Sequence, residues 1–212
     1  SVTDLDEKMV RAIEERAFYF ITKPFSKAVL TSLVSWCLDM QRLAEERDDL
    51  IRRLTEDLER ARRFQGALLP QGLPRTFGTV RVASAWTPCD TVGGDLYNVM
   101  PLPGDRLVLM VADVAGHGVR SALITTMIRA LVEDLRPLAH DPGQFMTELN
   151  TKLFAILKPG GSTVLTTAFF LVANSATGQM RYVNAGHPKP FLLRRAQGLV
   201  EEIKSNHQKK SQ

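Results

Sequence analysis

Two aspartates, Asp95 in the string GGDLYNV and Asp113 in the string DVAGHG, are set among glycines on either side of the turn signal PLPGD. Folding a hairpin about Gly104 brings Asp95 opposite Asp113. The side-chain period of two then places Tyr97, Val99, Leu109 and Val111 on the same face as both carboxylates. Two facing carboxylates repel, and a divalent cation between them removes the conflict. Hard cations such as Mg²⁺ and Mn²⁺ take carboxylate, carbonyl and water oxygens rather than sulfur. Gly93 and Gly94 leave room for close approach to Asp95, and Gly116 and Gly118 let the backbone turn sharply after Asp113. A helix is expected after Gly118, with Ala122, Leu123, Met127, Ile128, Leu131 and Leu135 as its buried stripe. Its N-terminal dipole favours an anion near the carboxylates. The chemistry this pattern suggests is metal-assisted handling of a phosphate.

The elements that must position these residues follow a change of character along the 212-residue chain. In the first segment, 1–34, Asp4 starts a helix carrying Met9, Val10, Ile13 and Ala17 at helical spacing. A short apolar strand at 18–21 is stopped by Pro24, and a second helix begins with Ser26 as its N-cap. One strand and two helices cannot cover both faces of a parallel sheet, so this segment reads as the tail of a larger domain. The second segment, 35–69, has no proline and dense alternating charge. Met40, Leu43, Leu50, Leu54, Ala61, Phe64 and Leu68 follow a 3-4 repeat, with Arg47 and Asp57 as polar interruptions. Such spacing predicts a helix that pairs with a second copy of itself, giving a coiled-coil homodimer through residues 36–68. A single amphipathic helix lying on its own domain is the alternative. From residue 70 to 204, prolines, glycines and alternating hydrophobics indicate a mixed α/β domain, and 205–212 is a polar tail.

Bulk properties narrow the function classes. The formal net charge is +4, with 44% hydrophobic and 24% charged residues. The basic residues of 42–63 are interleaved with acids, so a solvated helix face is expected and nucleic acid is not. Cys37 and Cys89 have no metal spacing, which fits a reducing compartment. No run of 18 apolar residues or leader-like start is seen, and the expectation is a cytoplasmic protein with no membrane partner.

Two resemblances add to these readings. DEKMVRAIEERAFYFITKPF resembles the end of a bacterial response-regulator receiver domain. That likeness implies that Lys23, before Pro24 across a usually cis bond, closes on an aspartyl phosphate, and that Ser1 stands where the family has its switch Ser/Thr. Arg16 departs from the usual small residue before Ala17. More extensively, GGDLYNV, RLVLMVADVAGHGVRSALITTM, STVLTTAFFLV and MRYVNAGHPKPFLL, in order over about 60–200, closely resemble the PPM-type (type 2C) metal-dependent serine/threonine phosphatases. The likeness is greatest to their bacterial SpoIIE/RsbU-like branch, which regulates sigma-factor partner switching. ARRFQGALLP is similar to the linker end before that catalytic domain.

The second resemblance implies an α/β fold: an antiparallel β-sandwich flanked by helices, preceded by a long linker helix and a partial receiver. It implies two ions, Mn²⁺ or Mg²⁺, with Asp95 and Asp113 as first ligands and catalytic residues and the Val114 carbonyl as a further ligand. The implied reaction is direct attack by metal-activated hydroxide on a phosphoserine or phosphothreonine of a protein such as an anti-sigma-factor antagonist, without a phosphoenzyme. Gly94, Gly116, His117 and Gly118 form the loops around the site. His117 either bonds a metal-bound water or shapes its loop, and His187 in NAGHPKP lies on a loop near the sheet edge. Thr166 and Thr167 read as ordinary strand alternation. Asn98 stands where many members carry Asp and is not assigned as a ligand. The family's C-terminal TDG-type Asp has no counterpart, since the last Asp is Asp141. With a receiver tail at one end and this Asp missing at the other, the chain is expected to begin inside one domain and stop inside another. A non-catalytic, dimerising partner-binding module is the rival reading.

Overall fold

The computed structural model of the chain describes residues 21, 23–160 and 164–203. The helix and most of the strand expected before Lys23, the Ser1 position, residues 161–163 and the polar tail lie outside the described residues. The Lys23–Pro24 peptide is cis. The chain divides into two compact units, residues 1–57 and 58–212.

Helix α1 spans Lys27–Leu68. Ser26 caps it, its hydroxyl accepting from the Val29 backbone N–H at 3.2 Å. The helix runs unbroken through residues 34 and 35, where the sequence pattern changes. It contains no proline, and its one glycine is Gly66 near the end, so nothing interrupts the backbone ladder. Arg52 bridges to Glu56 at 3.1 Å one turn on, a solvent-exposed pair with the i,i+4 spacing that suits a helix surface. Met40, Leu43, Leu50, Leu54 and Phe64 of the 3-4 repeat are all exposed. Gln65 is the residue of this helix that is buried.

The second unit is built on four antiparallel strands in the order β3-β4-β5-β6. Two short strands precede them, β1 (Arg75–Phe77) and β2 (Val80–Val82), paired as a hairpin. The sheet strands are β3 (Asp95–Leu102), β4 (Arg106–Val114), β5 (Thr166–Asn174) and β6 (Met180–Ala185). A last hairpin joins β7 (Phe191–Arg194) to β8 (Leu199–Glu202). Between β4 and β5 the chain forms α2 (Val119–Asp134) and α3 (Pro142–Leu157). Helix α2 packs on β3 and β4, and α3 packs on β5 and β6. The architecture is thus mixed α/β, antiparallel sheets with helices, as expected.

Alternation along the strands decides which face becomes the core. Leu96, Met100, Val108, Met110, Ala112, Phe170 and Val172 are buried under the helices. Phe145 of α3 stacks on Phe170 of β5 with ring centroids 4.2 Å apart, a geometry that adds to the burial energy of both rings. The buried face of α2 differs from the expected stripe. It consists of Ser121, Ile124, Thr125, Ile128 and Val132, while Leu123 and Met127 are exposed. The reason is chemical. The hydroxyls of Ser121 and Thr125 donate to helix carbonyls, of Gly118 at 2.9 Å and Ala122 at 2.8 Å, so these small polar residues enter the interface without an orphaned group. A pattern read from apolar residues alone rotates the helix away from them.

Candidate metal centre

The β3–β4 hairpin closes through Pro103, Gly104 and Asp105, with Gly104 and Asp105 both at positive φ. Asp95 then pairs with Asp113, Tyr97 with Val111 and Val99 with Leu109. These are the register and the shared face expected from the turn and the period of two. Across the next strand Asp113 faces Thr167, so the outer end of the sheet carries Asp95, Asp113 and Thr167 side by side.

Backbone contacts hold this corner. The Val114 N–H donates to the Gly94 carbonyl at 3.0 Å. A Cβ at position 94 would run into the Val114 carbonyl oxygen, so only glycine allows the GGD turn to approach the end of β4 this closely. Gln65 fixes the turn from the other side. Its amide nitrogen donates to the Gly93 carbonyl at 2.7 Å and to the Thr125 hydroxyl at 3.0 Å, and its amide oxygen accepts from the Gly93 N–H at 3.2 Å. Arg129 of α2 donates to the Leu68 carbonyl at 3.1 Å. Trp86 donates its indole N–H to the Asp95 carbonyl at 3.3 Å. Beside these groups a cavity of about 490 Å³ is lined by Trp86, Asp95, Tyr97, Val99, Leu109 and Val111, among others.

Burial, and then the charge of Asp113, push the Asp95 carboxyl above its ordinary pKa, with the His187 imidazole pulling the other way. That is the signature of like charges held close, one of which is partly desolvated. A divalent cation would offset both penalties. Two facing carboxylates are hard oxygen donors and suit Mg²⁺ or Mn²⁺. Among the described residues no group of three or more His, Cys, Asp or Glu side chains is placed to hold a metal. The pair therefore fits one hard cation and does not by itself furnish the donor set of two.

The remaining expected residues divide. Gly116 and Gly118 lie in the loop between Asp113 and α2, both at positive φ. His117 is largely exposed and faces Asp90, Nδ1 to Oδ2 3.7 Å. Asn98 is buried on the opposite, helix-covered face, with its amide nitrogen lacking a hydrogen-bond partner. Strand parity thus takes it out of the carboxylate site. Lys23 stands in the first unit and is exposed. Thr167 does more than alternate, because its hydroxyl meets His187 Nδ1 at 3.0 Å. Gln65, Asp90 and Thr167 are the residues the sequence reading missed. For Gln65 the signal was a lone amide beside Gly66, out of step with the 3-4 repeat.

Comparison with known proteins bears on this geometry. The family model of Stage II sporulation protein E (SpoIIE) matches residues 103–208, half of the chain. The chain belongs to the SpoIIE family. Among curated relatives, the phosphoserine phosphatase RsbP of Bacillus subtilis is 31% identical over 133 residues, covering 62% of this chain and 32% of RsbP. Protein IcfG of a Synechocystis species is 26% identical over 187 residues, covering 77% of this chain and 29% of IcfG. This SpoIIE-family chain thus spans about a third of the length of these relatives. The SiaA-PP2C domain of Pseudomonas aeruginosa has a similar structure, with a TM-score of 0.54 and 26% identity over 63% of this chain and 54% of that one. Its PP2C fold is the mixed α/β architecture described above. Among the described residues no helix is long and apolar enough to cross a membrane.

Proposed function

We propose that this chain carries the catalytic part of a metal-dependent protein phosphatase that hydrolyses phosphoserine or phosphothreonine on a signalling protein. The observation that carries the reading is the pairing of Asp95 with Asp113 on one sheet face. Similarity to RsbP, itself a phosphoserine phosphatase, supports the substrate class. Asp95 and Asp113 would hold Mn²⁺ or Mg²⁺, with the Val114 carbonyl as a further ligand. When bound, the cation would supply Lewis-acid activation and charge neutralisation at the phosphoryl group. The chain's own residues supply the rest. Gln65 and Gly94 set the angle at which the GGD turn meets β4. The first turn of α2, beginning at Val119, offers a partial positive charge to an anion.

The wider context belongs to the same proposal. The substrate is an anti-sigma-factor antagonist or a protein like it, and the output is governed by a response-regulator receiver through α1. The exposed apolar repeat of α1 pairs with a second copy over residues 36–68. Light scattering should then give twice the chain mass, and Leu43→Asp with Leu50→Asp should return it to one.

Mn²⁺-dependent hydrolysis of p-nitrophenyl phosphate, measured beside Asp95→Asn and Asp113→Asn, tests the catalytic reading. Turnover that needs Mn²⁺ and is lost in both variants supports it. No turnover from the folded chain would leave the non-catalytic, dimerising module as the better description.

A further inference from the structure

We infer that His187, held by Thr167, contacts the phosphoryl group bound at the Asp95–Asp113 corner. This rests on the phosphatase reading and adds a third polar group to its site.

The placement follows from the sheet. Thr167 is the cross-strand partner of Asp113, and its hydroxyl lies 3.0 Å from His187 Nδ1. The loop that carries His187 is anchored independently of the ring. Gly186 bridges to Ala168 of β5. The Asn184 side chain accepts from the His187 N–H at 2.8 Å and donates to the His187 carbonyl at 2.9 Å. One amide therefore satisfies both backbone groups of His187, and none of these bonds uses the imidazole. A side chain needed only to shape the loop would be redundant here.

The chemistry left to the ring is specific. With Nδ1 against the Thr167 hydroxyl, Nε2 has no hydrogen-bond partner among the described residues. When the hydroxyl donates to Nδ1, the ring proton sits on Nε2, and the free end of the imidazole is a donor. A phosphoryl oxygen is an acceptor that two carboxylates alone would repel. A fixed N–H at the edge of the pair complements it.

The test joins binding to kinetics. Orthophosphate is titrated calorimetrically into the Mn²⁺-loaded chain, and kcat/KM is measured on a phosphoserine peptide, for wild type, His187→Ala, His187→Gln, Thr167→Val and Thr167→Ser. Loss of one hydrogen bond to a charged group predicts a fall of about 10- to 100-fold in phosphate affinity and kcat/KM for His187→Ala. Its Mn²⁺ dependence should be unchanged. His187→Gln and Thr167→Ser should recover much of the loss, and Thr167→Val should fall between. Wild-type phosphate affinity and kcat/KM in His187→Ala would overturn the inference while leaving the phosphatase reading intact. So would a matching loss of Mn²⁺ affinity, which would mark the ring as structural support for the carboxylates. A wild-type chain that neither binds Mn²⁺ nor turns over the peptide overturns both.

Discussion

The two faces of the β3-β4-β5-β6 sheet are made from the same strands, residue by residue, yet behave oppositely. The face under α2 and α3 is dry: Val108, Ala112 and Phe170 are wholly buried. The other carries Asp95, Asp113 and Thr167 at one end and partly exposed apolar residues beyond them, with Val111 at 45% exposure. One face supplies stability and the other carries the proposed metal site, and a single-residue slip of register would exchange them. Charge is tolerated on the second face because water and ions reach it.

Substitutions that cross this division should separate the two roles. Phe170→Ala removes a stacked, buried ring and should cost about 3–5 kcal/mol in chemical denaturation. Val111→Ala on the outer face should cost far less. If the two losses were equal, the outer face would be as closely packed as the inner. The two buried amides offer a finer contrast. Gln65→Leu strands both backbone groups of Gly93 and should cost about 1–3 kcal/mol, along with Mn²⁺ affinity. Asn98→Leu removes an amide whose nitrogen is already unpartnered and whose oxygen accepts only from the adjacent Val99 N–H at 3.0 Å, and should cost clearly less than Gln65→Leu. Asp141→Ala deletes the N-cap of α3, where the carboxylate accepts from Gly143 at 2.9 Å and Gln144 at 3.1 Å, and should cost about 1 kcal/mol.

The smallest effects lie in pH dependence, where the two aspartates have opposite signs. Asp141 is held below its ordinary pKa of 3.8, first by the Gln144 N–H and then by Gly143, with burial opposing them. Its contribution is present above that value and is lost as pH falls through the lowered one. Asp95 is held above 3.8. The folded chain takes up that proton first, so its ionised form is a cost at neutral pH that is relieved as pH falls through the raised value. In metal-free melts against pH, Asp95→Asn should abolish the relief and Asp141→Ala the loss. Mn²⁺ at neutral pH should raise the wild-type melting temperature and leave that of Asp95→Asn unchanged.

The hairpin was legible because two local rules, a Pro-Gly-Asp turn and a period of two, determine it without reference to the rest of the chain. The cap at Ser26 was legible for the same reason. The buried face of α2 was not, because Ser121 and Thr125 are hidden through hydrogen bonds to their own helix. Thr167 looked ordinary until folding placed the loop from the far end of β6 beside it. Gln65 was obscure in a similar way, since its partners lie 28 and 60 residues further on. What the sequence concealed are the polar contacts between distant segments, and those are the ones that fix the backbone and the loop around the carboxylates.

Gly94 leaves the corner open to a very small change. One added methyl group, in Gly94→Ala, would displace a backbone carbonyl while leaving every charge, titratable group and hydrogen-bonding side chain in place. Such a variant isolates shape from electrostatics. Beside Asp95→Asn, which does the reverse, it would tell whether the corner fails more readily through lost charge or through a misplaced oxygen.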